Sequence, residues 1–108
     1  MKIYISLPIT GHECTYEKRL YDAVEYVKKM YPKYKIIITP KDVAERPENY
    51  KPTKPKYRDY LLADLKEIGN CDAIFMCRGW SDSSGCYAEW SFAWAIGLTI
   101  LYQDEKEE

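Results

Sequence analysis

The chain has 108 residues, with 16 Lys plus Arg against 17 Asp plus Glu, 46% hydrophobic residues and 15% aromatic ones, which places it among ordinary globular domains. A domain of this length buries roughly 60–70% of the surface its unfolded chain exposes, enough for one core without a metal or disulfide staple. A formal net charge of −1 supplies no global field for a polyanion, so composition argues against a nucleic-acid polymer or a membrane surface as partner and leaves a small ligand.

No apolar run approaches the ~20 residues needed to span a bilayer, and Met1-Lys2-Ile3-Tyr4-Ile5 reads as a strand rather than a secretory leader. A cytoplasmic location is expected. The cysteines, Cys14, Cys71, Cys77 and Cys86, contain no C-x-x-C pair, which fits reduced, buried thiols better than a disulfide framework or a metal site. Neither a metal nor a cofactor is expected.

In chain order, residues 2–7 form the first strand. After a loop containing Pro8 and Gly11, residues 16–30 place Leu20, Ala23, Val24, Val27 and Met30 at three-and-four spacing, a helix with one buried face. Residues 34–39 hold Ile36, Ile37 and Ile38 in a row, the pattern of a parallel strand buried on both faces, ended by Pro40. Residues 40–56 contain four prolines and little apolar periodicity, so a long loop with at most one irregular turn is expected there. Leu61, Leu62, Leu65 and Ile68 predict a helix over 57–69, with Gly69-Asn70 as its stop. Residues 72–77 read as the third strand, 78–85 as a polar loop, 87–96 as an apolar helix and 98–102 as the last strand, before a charged tail over 103–108. Strands alternating with helices predict one α/β domain over 1–108, a three-layer sandwich on a small parallel sheet of four to five strands.

In such a sheet ligands bind beyond the carboxyl ends of the strands, which brings residues 7–11, the segment from Pro40 onward and residues 78–85 together. The serines and Asp82 of Gly79-Trp80-Ser81-Asp82-Ser83-Ser84-Gly85 suit two tasks equally: capping the following helix, or presenting free N–H groups to a phosphate or a sugar hydroxyl. Glu89 sits about one turn into that helix among apolar neighbours, either as a surface group complementing the helix dipole or as a nucleophile. Asp64, three residues after Leu61 and four before Ile68, falls on the inward stripe, where a carboxylate must be paired or functional. Lys66 and Glu67 read as solvated positions. His12, the sole histidine, reads as a loop side chain, and Lys51, Lys54, Lys56 and Arg58, interleaved with Tyr50 and Tyr57, as a solvated lid.

The opening Met1-Lys2-Ile3-Tyr4-Ile5-Ser6-Leu7-Pro8-Ile9-Thr10-Gly11, Asp64-Leu65 followed by Cys71-Asp72-Ala73-Ile74, and Gly79-Trp80 through Ser84-Gly85 to Glu89, Ala93 and Gly97 together resemble the nucleoside 2-deoxyribosyltransferase superfamily. The small bacterial and phage-borne DUF4406 branch is the most similar in look. The resemblance implies a flavodoxin-like sandwich acting at the N-glycosidic bond of a nucleoside or nucleotide. It implies a nucleophile at Glu89 within Gly85-x-x-x-Glu89, a carboxylate near the base at Asp64, and a first-strand tyrosine on the nucleophile at Tyr4. Ser83 stands where the transferase branch carries an Asp that holds the sugar hydroxyl, with Asp82 beside it. A serine there is similar to the nucleoside 5′-monophosphate N-glycosidase branch, although Pro8 and Thr10 replace that branch's phosphate-binding Ser and Arg.

The implied chemistry parallels retaining glycoside hydrolysis, through a glycosyl ester on Glu89 that water or a second base resolves. Asp64 would serve the leaving base and Tyr4 would fix Glu89. Pro8, Thr10, Gly11, Ser83, Ser84 and Gly85 would bind substrate, and Trp80 would stack on the base. Two alternatives stand beside this: a nucleotide-sensing module without turnover, and an interaction protein whose Trp90 and Trp94 form a dimer face. A homo-oligomer is expected from the resemblance.

Overall fold

The computed structural model describes residues 1–8, 15–45 and 57–103. Four parallel strands, β1 (Lys2–Ser6), β2 (Ile36–Ile38), β3 (Ala73–Met76) and β4 (Thr99–Tyr102), are arranged in the order β2-β1-β3-β4. The helices are α1 (Tyr16–Met30), α2 (Pro40–Ala44), α3 (Tyr57–Ile68) and α4 (Ser84–Ala95), with a 3-10 turn at Trp80–Asp82. This is the doubly wound α/β arrangement, and its strand order reverses direction between β1 and β3.

Strand periodicity divides the core in two. Ile3, Ile5 and Leu7 point to one face, where with Phe75 and Cys77 they pack under Ala23 and Val27 of α1. Tyr4 points to the other, where Ile74 and Met76 meet Ile68 of α3, Val43 of α2, and Cys86 and Ala93 of α4. The register pairs Tyr4 with Ile38 on one side and Ile74 on the other, and Ser6 with Met76. Asp72 fixes the start of this pairing, its Oδ2 accepting from the Lys2 amide at 2.7 Å.

The α1 boundaries match the expected ones, and the other elements lie within a few residues of theirs. Four local expectations need correction. The segment opening at Pro40 begins with a helix, because Thr39 and Asp42 form a reciprocal capping box with Pro40 in the first turn. Thr39 Oγ1 accepts from the Asp42 amide at 3.1 Å, and Asp42 Oδ2 accepts from the Thr39 amide at 2.9 Å. The triple isoleucine is not buried on both faces: β2 borders the described sheet, leaving Ile36 51% exposed. Met30, at the last turn of α1, is 40% exposed, beyond the reach of the sheet. Glu67 is 5% exposed rather than solvated, lying 4.0 Å from the Lys2 ammonium. Cys71, Cys77 and Cys86 are buried, as expected of small core residues, while Cys14 lies outside the described residues.

Phe75 is fully buried on the central strands, with the Tyr26 and Tyr31 rings 5.6 and 6.5 Å from it. Phe75→Ala is expected to cost about 3–5 kcal/mol of unfolding free energy in a urea titration, the cost of a large core cavity.

Candidate active site

The loop after β3 turns at Gly79, whose φ of 86° is a left-handed conformation that disfavours a side chain. Trp80 then folds inward and stacks on Trp90 at 5.3 Å, with Tyr102 and Tyr87 at 5.9 and 6.0 Å. Trp90 Nε1 donates to Tyr102 Oη at 2.9 Å, tying this aromatic group to β4. The loop therefore delivers Ser83 to the N-cap of α4, where its Oγ accepts from the Cys86 amide at 3.3 Å. That cap starts α4 at Ser84, three residues before the apolar pattern alone suggests.

Once α4 is started there, Cys86, Glu89 and Ala93 fall on one buried stripe facing the sheet. Glu89 is 6% exposed. Beneath it, Tyr4 and Ser6 project from the same face of β1, two residues apart. Ser6 Oγ donates to Glu89 Oε1 at 2.6 Å and Tyr4 Oη donates to Oε2 at 3.3 Å. From α3, the Asp64 carboxyl comes within hydrogen-bonding reach of both Glu89 and Tyr4.

Burial is the main force pushing both carboxyls up, Asp64 to about 6 and Glu89 to about 8; Ser6 and Tyr4 pull Glu89 back down while the Asp64 charge adds to the rise. Near neutral pH the pair holds one proton between its two carboxyls. Burial also raises the Tyr4 phenol well above its ordinary value and the Tyr16 phenol to about 12, with the Glu89 and Asp64 charges contributing to the first and Asp64 to the second. Both phenols stay protonated as hydrogen-bond donors.

Above the carboxyl pair opens a cleft of about 710 Å³, within the size range of small-molecule sites. Its walls come from the ends of three strands, as expected: Leu7 after β1, Pro40 after β2, and Ser83, Ser84 and Gly85 after β3, with Asp64 and Glu89 at its floor. Among the described residues no group of three or more His, Cys, Asp or Glu is arranged to hold a metal, and no helix is long and apolar enough to cross a membrane.

The geometry thus brings together Tyr4, Asp64, Glu89, Ser83, Ser84 and Gly85. Thr10 and Gly11 lie outside the described residues, as do His12, Tyr50, Lys51, Lys54 and Lys56. Trp80 does not line the cleft, because its ring is taken up by Trp90, Tyr87 and Tyr102; it holds the Ser83 loop rather than facing a ligand. Pro8 acts through its carbonyl, which accepts from Arg19 Nη1 at 3.2 Å while Nη2 of the same guanidinium donates to the Arg78 carbonyl at 2.9 Å. Arg19 so clamps the loops after β1 and β3. Trp90 packs into the aromatic group, while Trp94, one helical turn on, is 68% exposed.

Ser6 and Arg19 were not singled out from sequence. The period-two spacing from Tyr4 carries a signal for Ser6, whereas nothing local marks an arginine that binds two distant carbonyls. A carboxyl whose folded-state pKa is raised keeps a proton that the unfolded chain releases, so Glu89 costs stability progressively as pH rises from about 4.5 to about 8. Glu89→Gln, whose amide can accept from Ser6 and donate to Asp64, is expected to raise the thermal unfolding midpoint, by little at pH 5 and by an amount worth on the order of 1–3 kcal/mol at pH 8.

The sequence profile of the DUF4406 family, described as a domain of unknown function, matches residues 1–102. No curated protein matches the chain. Among solved structures, a 2-desoxiribosyltransferase from Leishmania mexicana is similar, with a TM-score of 0.61 and 22% sequence identity, covering 94% of this chain and 62% of that one. The chain therefore spans less than two thirds of that protein's length, and at this identity the likeness is one of fold. It is the flavodoxin-like α/β fold expected from the sequence, with the carboxyl pair at its strand ends, and the chain belongs to the DUF4406 family.

Proposed function

We propose that the chain is an enzyme that cleaves or transfers at the N-glycosidic bond of a nucleoside or nucleoside 5′-monophosphate through a covalent glycosyl ester on Glu89. The observation that carries this reading is the buried Glu89 carboxyl at the floor of the cleft, held by Tyr4 and Ser6 and sharing a proton with Asp64. The similarity in fold to a deoxyribosyltransferase supports glycosyl transfer as the reaction class.

Both roles arise from one proton: with it on Asp64, Glu89 is a carboxylate nucleophile and Asp64 an acid. Glu89 then attacks the anomeric carbon, the bond to the base nitrogen breaks with its electron pair leaving on the base, and Asp64 delivers its proton to that base. In the second half, water or the nitrogen of another base attacks the anomeric carbon. The ester bond breaks with its electrons returning to Glu89, and the proton lost by the attacking group passes to Asp64. Ser83, Ser84 and Gly85 line the cleft at the start of α4, where a cap and first-turn amides suit a sugar hydroxyl or a 5′ substituent.

The sensing-module alternative would be favoured by a Glu89 salt-bridged away from the cleft. Glu89 instead lines the cleft, and Ser6 and Tyr4, which hydrogen-bond it, are neutral donors.

The reactive form carries a single proton on the pair, so rate is lost below about pH 6, where both carboxyls are protonated, and above about pH 8, where none remains for the base. Base release from a panel of deoxy- and ribonucleosides and their 5′-monophosphates, with and without a second base, is expected to show this bell-shaped profile. Glu89→Ala should lower it by at least about 10³-fold and Asp64→Asn by about 10²-fold or more, with loss of the alkaline limb. Unchanged base release in Glu89→Ala would overturn the reading.

A further inference from the structure

We infer that Ser6 is a positioning residue of this site: its hydroxyl fixes the Glu89 carboxyl in one orientation and holds it in the ionised form that attack requires. The inference rests on reading Glu89 as the nucleophile, and its geometric basis is independent of any substrate.

The contact between Ser6 Oγ and Glu89 Oε1, at 2.6 Å, is much shorter than the 3.3 Å from Tyr4 Oη to Oε2. Such a length is typical of a hydroxyl donating to a charged oxygen. Ser6 is completely buried at the end of the strand beside the point where the sheet order reverses, and its own carbonyl accepts from the Cys77 amide at 3.0 Å, which ties its backbone to the end of β3. The Cys86 thiol lies within hydrogen-bonding reach of Ser6. Burial pushes that thiol up to about 11, so it remains an S–H donor, and the single hydroxyl proton of Ser6 stays directed at Glu89.

A carboxyl pinned at one oxygen cannot rotate freely, and a nucleophile already aligned avoids the entropic cost of alignment during attack. The same bond favours the carboxylate over the acid, opposing the burial that would otherwise keep the proton on Glu89. When the glycosyl ester breaks in the second half-reaction, negative charge returns to Glu89, and the Ser6 hydroxyl stabilises it as it leaves. The groups that face Glu89 from the surrounding elements are Tyr4 on β1, Asp64 on α3 and Cys86 on α4. Tyr16 of α1, Lys41 of α2, Asp59 and Tyr60 of α3, and Asp82 of the 3-10 turn line the same cleft. None of them replaces the bond at Oε1.

The decisive experiment titrates the side-chain carboxyl carbons by NMR in wild type, Ser6→Ala and Ser6→Thr, alongside base release as a function of pH. In Ser6→Ala the Glu89 midpoint should move up by about one pH unit, the loss expected when a charge-assisted hydrogen bond is removed. The rate profile should move to the alkaline side with it and the maximal rate should fall roughly tenfold, with glycosylated enzyme accumulating because the second half-reaction is slowed. Ser6→Thr keeps the hydroxyl and should restore the Glu89 midpoint. A Glu89 midpoint that is unmoved in a folded Ser6→Ala protein would overturn the inference. If the wild type releases no base from any nucleoside, the glycosidic reading fails by itself, and the titration still decides whether Ser6 holds Glu89.

Discussion

A carboxyl group buried in an apolar helix stripe is the constraint around which this molecule is arranged. Transferring Glu89 from water to the sheet face is unfavourable unless its oxygens find donors and its charge finds a proton. The central strand supplies the donors, since Tyr4 and Ser6 share one face of β1. α3 supplies the proton partner in Asp64. Each answers the same electrostatic problem, and together they leave one titratable pair whose proton can move between two oxygens.

The remaining structure divides the work of supporting that pair. The α1 face of the sheet is apolar and closed, with Ile3, Ile5, Phe75 and Val27 completely buried. Its apolar burial contributes to the stability that offsets the cost of polar burial on the opposite face. On the site face, the Trp80 group anchors the loop that starts α4, and the Arg19 guanidinium joins the loops after β1 and β3 through two backbone carbonyls. Neither Trp80 nor Arg19 needs to touch a ligand to matter. They fix where the helix begins, and the helix start fixes which residue of α4 meets Ser6.

Much of this was legible in the sequence, for identifiable reasons. Alternation of strand and helix patterns, with one stripe per helix, specified the α/β layering and the α1 boundaries. Asp64 was placed on the inward stripe from its spacing to Leu61 and Ile68, and Glu89 was conspicuous among aromatic neighbours. What failed depended on position in the sheet or on long-range pairing. The triple isoleucine cannot reveal that its strand borders the sheet, and the burial of Glu67 beside Lys2 rests on a contact between residues far apart in sequence. The capping box at Thr39 to Asp42 was readable but hidden by the prolines around it. Trp80 suited a base-stacking role by composition, yet Tyr87, Trp90 and Tyr102 pack against its ring, a packing that composition does not reveal.

The central claim is that Glu89 forms a bond to sugar. Its most direct test is the mass of the protein quenched during reaction with a deoxynucleoside, followed by mapping of the adduct to a peptide. The account predicts an added glycosyl unit on the peptide bearing Glu89, formed with release of one base per chain and absent from Glu89→Ala. Base released at the wild-type rate with no adduct at any stage, or an adduct carried on another residue, would contradict it.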